Sequence, residues 1–258
     1  MFLLILIFTI TCFFSLLTFY SGFGLGTLLT PVMMLFFPFD IAIALTGIVH
    51  LFNNLLKFIL VKKHINWNVF LRFGIPAIVF AILGSSILIF TSNLPIIKTY
   101  ELFGKTCKIE PMKIIIAILL IVFTLIDFIP KLKNYSFDKK YLSLGGALSG
   151  FFGGLSGNQG ALRTVFLIKS GLSKEAFVAT GVAVSTVVDL TRIGVYTQRL
   201  ININIYTSIQ LFVFALLGAL LGTLIGNRLL KKITMHNIQF ITSIFLIIIS
   251  ALLGLGLI

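Results

Sequence analysis

Apolar residues gather in long runs at about 2–20, 22–37, 40–61, 69–90, 112–129, 141–153, 157–170, 176–198, 204–226 and 238–258. Most approach the roughly 20 residues that cross a bilayer as helix. None alternates with period two, and lipid satisfies no backbone hydrogen bonds, so the pattern predicts helices. Two runs are too short to span. Residues 22–37 follow the cluster SGFGLG at 21–26, and residues 157–170 follow GGLSGNQG at 153–160. Glycine inside an apolar helix breaks it or permits close packing. The pattern therefore predicts an all-α polytopic membrane protein of about eight segments, with broken or re-entrant helices at 2–37 and 141–170. Residues 2–20 alone are long enough, at 1.5 Å each, to cross most of the core.

The second half repeats the first at an offset of 134 residues. VFAILG at 79–84 faces VFALLG at 213–218 without a gap. Gly26 falls on Gly160, Ala42 on Ala176, Thr46 and Gly47 on Thr180 and Gly181, and Asn68 on Asn202. Matches at one constant offset predict a duplication, with a first membrane repeat at 1–130, a cytoplasmic linker at 131–140 and a second repeat at 141–258.

Composition agrees: 59% of residues are hydrophobic and 10% charged, where a soluble domain has about a quarter charged. The net charge of +13 does not indicate nucleic acid, because the Lys and Arg residues sit mostly in short loops, as cytoplasmic anchoring requires. Cys12 and Cys107 give no disulfide framework or metal cluster. MFLLILIF lacks the basic start and small-residue cleavage site of a removable signal peptide.

Charge also orients the halves. If each glycine-interrupted pair crosses once, the repeats are parallel and the basic residues favour the outside. If each pair returns as a re-entrant hairpin, the halves are inverted. Lys62, Lys63, Lys131, Lys133, Lys139, Lys140, Lys169, Lys174, Arg228, Lys231 and Lys232 then lie inside, against Lys98, Lys105, Lys108, Lys113 and Arg199 outside. The positive-inside tendency selects the inverted arrangement.

Inverted halves with broken helices place a binding site near the midplane, where half-helix ends meet. A helix starting near Asn158 would aim free N–H groups and the positive end of its dipole at the second tip. Arg163, one turn in, would lean back toward the same place. With Asn158 and Gln159 this arrangement favours an anion; the plainer alternative is that the glycines only permit packing and Arg163 snorkels. The helix at 40–61 carries His50, Asn53, Asn54 and Lys57 on one face, and its partner at 176–198 carries Ser185, Asp189, Arg192 and Tyr196. Such residues at membrane depth line a polar path or form a structural ion pair, here between Asp189 and Arg192. Lys57 would snorkel toward the 62–66 loop. A coupling proton or cation at Asp189, with His50, is the transport reading. No catalytic, metal-binding or cofactor motif is present, and no feature fixes an oligomeric state. A membrane-embedded enzyme or a non-transporting scaffold are the alternatives.

GFGLGTLLTP at 22–31, AIALTG at 42–47, GGLSGNQGALRTVFL at 153–167 and FVATGVAVSTVVDLTRIGVY at 177–196 together resemble the sulfite exporter TauE/SafE family, over nearly the whole chain. The resemblance implies a multi-pass carrier of about eight segments for sulfite, sulfonates or related organosulfur anions. It implies a first tip at Gly22, Gly24, Gly26 and Pro31, and a second at Gly153, Gly154, Gly157 and Gly160. The second half departs from the commoner pattern, with Val165 at the position equivalent to Pro31.

Overall fold

The computed structural model describes residues 1–21, 24–92, 94–102, 104–128, 137–201, 205–229 and 235–257. The first half contains α1 (Phe2–Ser21), α2 (Leu25–Met33), α3 (Phe39–Val61), α4 (Trp67–Thr91), β1 (Lys98–Leu102), β2 (Lys105–Ile109) and α5 (Pro111–Phe128). The second contains α6 (Leu142–Ser156), α7 (Gly160–Leu167), α8 (Lys174–Ile201), α9 (Ile205–Leu229) and α10 (Met235–Gly254). Among the described residues, α3, α4, α8 and α9 contain stretches long and apolar enough to cross a bilayer. Shorter apolar stretches lie in α1, α5 and α10. Leu71, Ile75, Val79, Ile82, Leu83 and Phe90 of α4 all point outward and exposed, the belt expected of a lipid-facing helix.

Helix α4 shows how the chain manages backbone polarity in lipid. Its first turn is capped by Asn66, whose side-chain oxygen accepts from the Val69 N–H at 3.1 Å. Pro76 inside the helix cannot donate to the carbonyl of Arg72. Ser143 of α6 donates to that carbonyl instead, at 3.2 Å.

The two halves interleave. Gly146, Gly150 and Gly154 of α6 lie against the carbonyl oxygens of Phe73, Ala77 and Ala81 of α4, where any Cβ would overlap the oxygen. Both numbers rise together, so α4 and α6 run parallel. Gly218 and Gly222 of α9 likewise meet the carbonyls of Phe8 and Cys12 in α1. Close backbone approach through small residues is how membrane helices associate without a hydrophobic driving force. The packing pairs α4 with α6 and with α8, and correspondingly α9 with α1 and with α3. Exchanging the halves maps these pairings onto one another. Helices α3 and α8, counterparts under the offset, pack together and run antiparallel: Gly47 faces Arg192, His50 faces Asp189, and Asn66 lies at Thr180.

The short apolar runs are helical over less than their length, and α7 turns back along α6. Gln159 sits beside Ser149 and Gly153, while Phe166 sits beside Gly145, near the start of α6. Phe137 stacks on Phe166 at 4.4 Å. Gly157 makes the reversal at φ +80°, a conformation that a side chain strains. Helix α2 ends at Met33 in a turn before Pro38.

One element departs from the all-helical expectation. Strands β1 and β2 pair antiparallel, with Tyr100 opposite Cys107, and Gly104 between them has φ +73°. The Tyr100 hydroxyl donates to the Leu255 carbonyl at 2.6 Å, tying the hairpin to the end of α10. Five-residue polar strands between membrane helices leave no signal beside long apolar runs. The linker expected at 131–140 falls largely outside the described residues.

Candidate functional site

The antiparallel seam of α3 and α8 carries the buried group His50, Asn54, Asp189 and Arg192, and Asp189 is its hub. The carboxylate, fully buried, accepts from Arg192 Nε at 3.0 Å and from Asn54 Nδ2 at 2.9 Å. Arg192 Nη2 lies 2.9 Å from the same Oδ1, within ion-pair distance but without hydrogen-bond direction. His50 Nδ1 is 2.6 Å from Oδ2. A carboxylate only accepts, so the Nδ1 hydrogen points at Asp189 and Nε2 is left for another partner. Gln159 Nε2 reaches Oδ1 at 3.5 Å, joining the second tip to the hub.

Both tips converge on this hub. A Cβ on Gly24 would stand 3.3 Å from His50 Nε2, and one on Gly26 would stand 3.2 Å from the Gly157 carbonyl oxygen. At Gly157 it would meet Arg192 Nη1 at 3.0 Å and Thr30 Oγ1 at 3.5 Å. Gly47 gives room for the same guanidinium, with Cζ 3.2 Å from a would-be Cβ. Tyr196 holds the end of α6 in place by donating to the Gly154 carbonyl.

Several polar atoms around the tips are buried without a partner: Thr30 Oγ1, Thr46 Oγ1, Asn158 Oδ1, Gln159 Oε1 and Arg192 Nη1. Each such group costs about 1–3 kcal/mol when left unpaired. Their gathering between two helix starts, α2 and α7, is what a place for a hydrogen-bonding ligand looks like. The N–H groups of helix starts, the guanidinium and the two hydroxyls are groups that suit an anion, whereas the two amide oxygens accept only and would face a donor. Among the described residues, no three His, Cys, Asp or Glu side chains come together to hold a metal.

The predicted residues fall into three groups. Gly24, Gly26, Gly157, Asn158, Gln159, His50, Asn54, Asp189 and Arg192 meet at the tips and hub. Gly160 opens α7, and Pro31 is buried inside α2. Asn53 turns away: its side-chain oxygen accepts from Thr223 of α9, which Ser15 of α1 also touches at 2.8 Å. Arg163 does not reach the tip; its guanidinium donates to Ser185 and lies against Gly181. The guanidinium at the tip belongs to Arg192. Gly22 lies outside the described residues. Thr30, Thr46 and Gly47 join the site without a motif of their own, although the Thr46–Gly47 pair and its repeat at Thr180–Gly181 are visible in the sequence.

The sequence profile described as Sulfite exporter TauE/SafE matches residues 6–253. The chain belongs to that family. No curated protein and no solved structure matches it. As a TauE/SafE protein it is a membrane transporter, multi-pass in the cell membrane. The lipid bilayer is therefore its constant partner. The polar hub of this TauE/SafE protein is buried among its helices.

Proposed function

We propose that this TauE/SafE protein carries a small oxyanion, sulfite or a related sulfonate, bound where the two hairpin tips meet. The observation carrying the reading is the fully buried Arg192 guanidinium, whose Nη1 has no partner, with the unpartnered donor hydroxyls of Thr30 and Thr46 near the tips. Gly24, Gly26, Gly157, Asn158 and Gln159 complete the anion's surroundings. The two halves, 1–130 and 141–258, are inverted repeats that rock about this site, with residues 131–140 as a cytoplasmic linker. The antiparallel run of the counterparts α3 and α8 supports the inversion. The α6–α7 hairpin supports re-entry of that segment.

His50 supplies a coupling route. With Nδ1–H committed to Asp189, its Nε2 faces Gly24 as a lone pair that repels an anion. Protonated, Nε2 becomes a donor to the same anion. Anion and proton then bind with positive coupling, each raising the affinity for the other. Proteoliposomes containing the purified protein should accumulate labelled sulfite or a sulfonate when the side holding the anion is acidic. A panel of such anions with no uptake at any pH gradient overturns the reading.

The inverted arrangement has its own test. Single cysteines in the loops at 62–68, 130–140 and 227–237 should all be labelled from the cytoplasmic side in intact cells. Opposite accessibility of 130–140 and 227–237 restores parallel repeats.

A further inference from the structure

We infer that the anion taken at the tips carries a hydroxyl of its own, and that the side-chain oxygens of Asn158 and Gln159 receive it. This rests on the reading of the tips as an anion site and narrows the class of ligand. Gln159 settles which way its amide faces. Its Nε2 lies 3.5 Å from Asp189 Oδ1, the oxygen that also accepts from Arg192 Nε. An ionised carboxylate only accepts, so the NH2 end of the amide is the end turned toward it. Oε1 is left on the other side, buried and without a partner. Asn158 keeps a second amide oxygen, Oδ1, in the same condition. The two residues are 1% and 4% exposed, Gln159 the deeper. Before them comes Gly157, where a Cβ would meet Arg192 Nη1 and Thr30 Oγ1, two donors that are themselves unpartnered. Asn158 is thus flanked by one residue against the guanidinium and one against its carboxylate.

The mixture of groups selects the ligand. A fully deprotonated oxyanion, the sulfite dianion for example, has acceptors only. It would satisfy Arg192 and the hydroxyls of Thr30 and Thr46, and leave both amide oxygens buried and bare. A sulfonate with an apolar arm leaves the same gap. A buried acceptor without a donor lowers affinity. An oxyanion that also bears a hydroxyl meets both sets: its charged oxygens take the donors, and its O–H goes to an amide oxygen. Two sources share that chemistry, a singly protonated acid group and a hydroxyl on the carbon arm of a sulfonate. A site built to bond a ligand hydroxyl rejects the analogue lacking it, because its own buried group is then unpaired.

The test is calorimetric titration of the purified full chain in detergent with two pairs of anions matched in shape and charge. Methylphosphonate, at a pH that leaves it one proton, is set against methanesulfonate, which has no O–H on its acid group. Hydroxymethanesulfonate is set against ethanesulfonate at the same pH, which moves the O–H to the arm. In at least one pair the hydroxyl-bearing anion should bind about tenfold tighter or more, and the pair that shows it names the source. Asn158→Leu and Gln159→Met replace an amide by an apolar group of similar size, and at least one should bring that ratio close to unity. Asn158→Leu carries the decision should Gln159→Met, which also withdraws from Asp189, lose its fold. Thr30→Val should weaken both members of a pair alike. Equal affinity within both pairs, as when water serves the amide oxygens, overturns the inference and leaves the anion site standing. So does a ratio that neither folded variant moves. Failure of all four anions to bind, or affinities for all four unmoved by Thr30→Val, overturns the tip site itself.

Discussion

Gly150→Leu should leave no folded protein in the membrane. A Cβ at that position overlaps the Ala77 carbonyl oxygen and crowds its Cα, so backbone has to move rather than a side chain. Gly146 and Gly154 fix the same helix one turn to either side, against Phe73 and Ala81. Helix α6 therefore cannot pivot to admit a larger residue without losing all three approaches. Overpacking of an ordinary core costs about 1–3 kcal/mol, and an overlap with backbone belongs at or above the top of that range. That is a large part of the 5–15 kcal/mol typical of a native fold. Size-exclusion profiles and melting curves of the detergent-solubilised protein would show aggregation or a much lower Tm. Gly194→Ala is the matched control. Nothing lies within 4 Å of a Cβ there, and alanine favours helix over glycine by about 1 kcal/mol. A Gly150→Leu protein as stable as that control would mean that α4 and α6 are not in contact.

Asp189→Asn should cost both stability and transport. The substitution removes the negative charge that faces Arg192, His50 and Asn54 inside the protein. Arg192 is fully buried, so its charge then has no counterion among the described residues of the seam. Breaking a buried pair in this way costs about 3–5 kcal/mol. Removing both charges is gentler, because a neutral pair has no desolvation to offset. The Asp189→Asn/Arg192→Gln double variant should therefore melt above the single variant while still failing to transport. Melting temperatures and uptake of sulfite measured on the three proteins decide it. Wild-type stability together with unchanged, pH-dependent uptake in Asp189→Asn would remove Asp189 from both roles.

Much of this was legible in the sequence because membrane proteins write their helices as apolar runs. The glycine clusters mark both tips, and the constant offset makes α3 and α8 counterparts, although it does not say that they touch. The polar stripes lie on helix faces, but a stripe of i, i+3, i+4 and i+7 is wide enough to touch two neighbours. His50 and Asn54 meet α8 while Asn53 meets α9. The exchange of arginines at the tip had a similar cause. Arg163 begins near the tip, yet Gly181 opens a space on α8 that its long side chain fills instead. Pairings such as α1 with α9 join residues about 200 apart and leave no local trace.

That last pairing has a consequence for how the protein is made. Ser15 of α1 finds its partners at Ala219 and Thr223 only after the chain has grown by more than 200 residues. At about 5–20 residues per second, synthesis takes roughly 10–40 s to supply them. During that interval α1 stands in the bilayer with its hydroxyls at Thr11, Ser15 and Thr18 and no α9 beside it. Helix α4 waits less, since α6 follows it within about 80 residues. The α4–α6 pair can therefore assemble while the ribosome is still translating, and α1 is the segment that the insertion machinery has to chaperone longest.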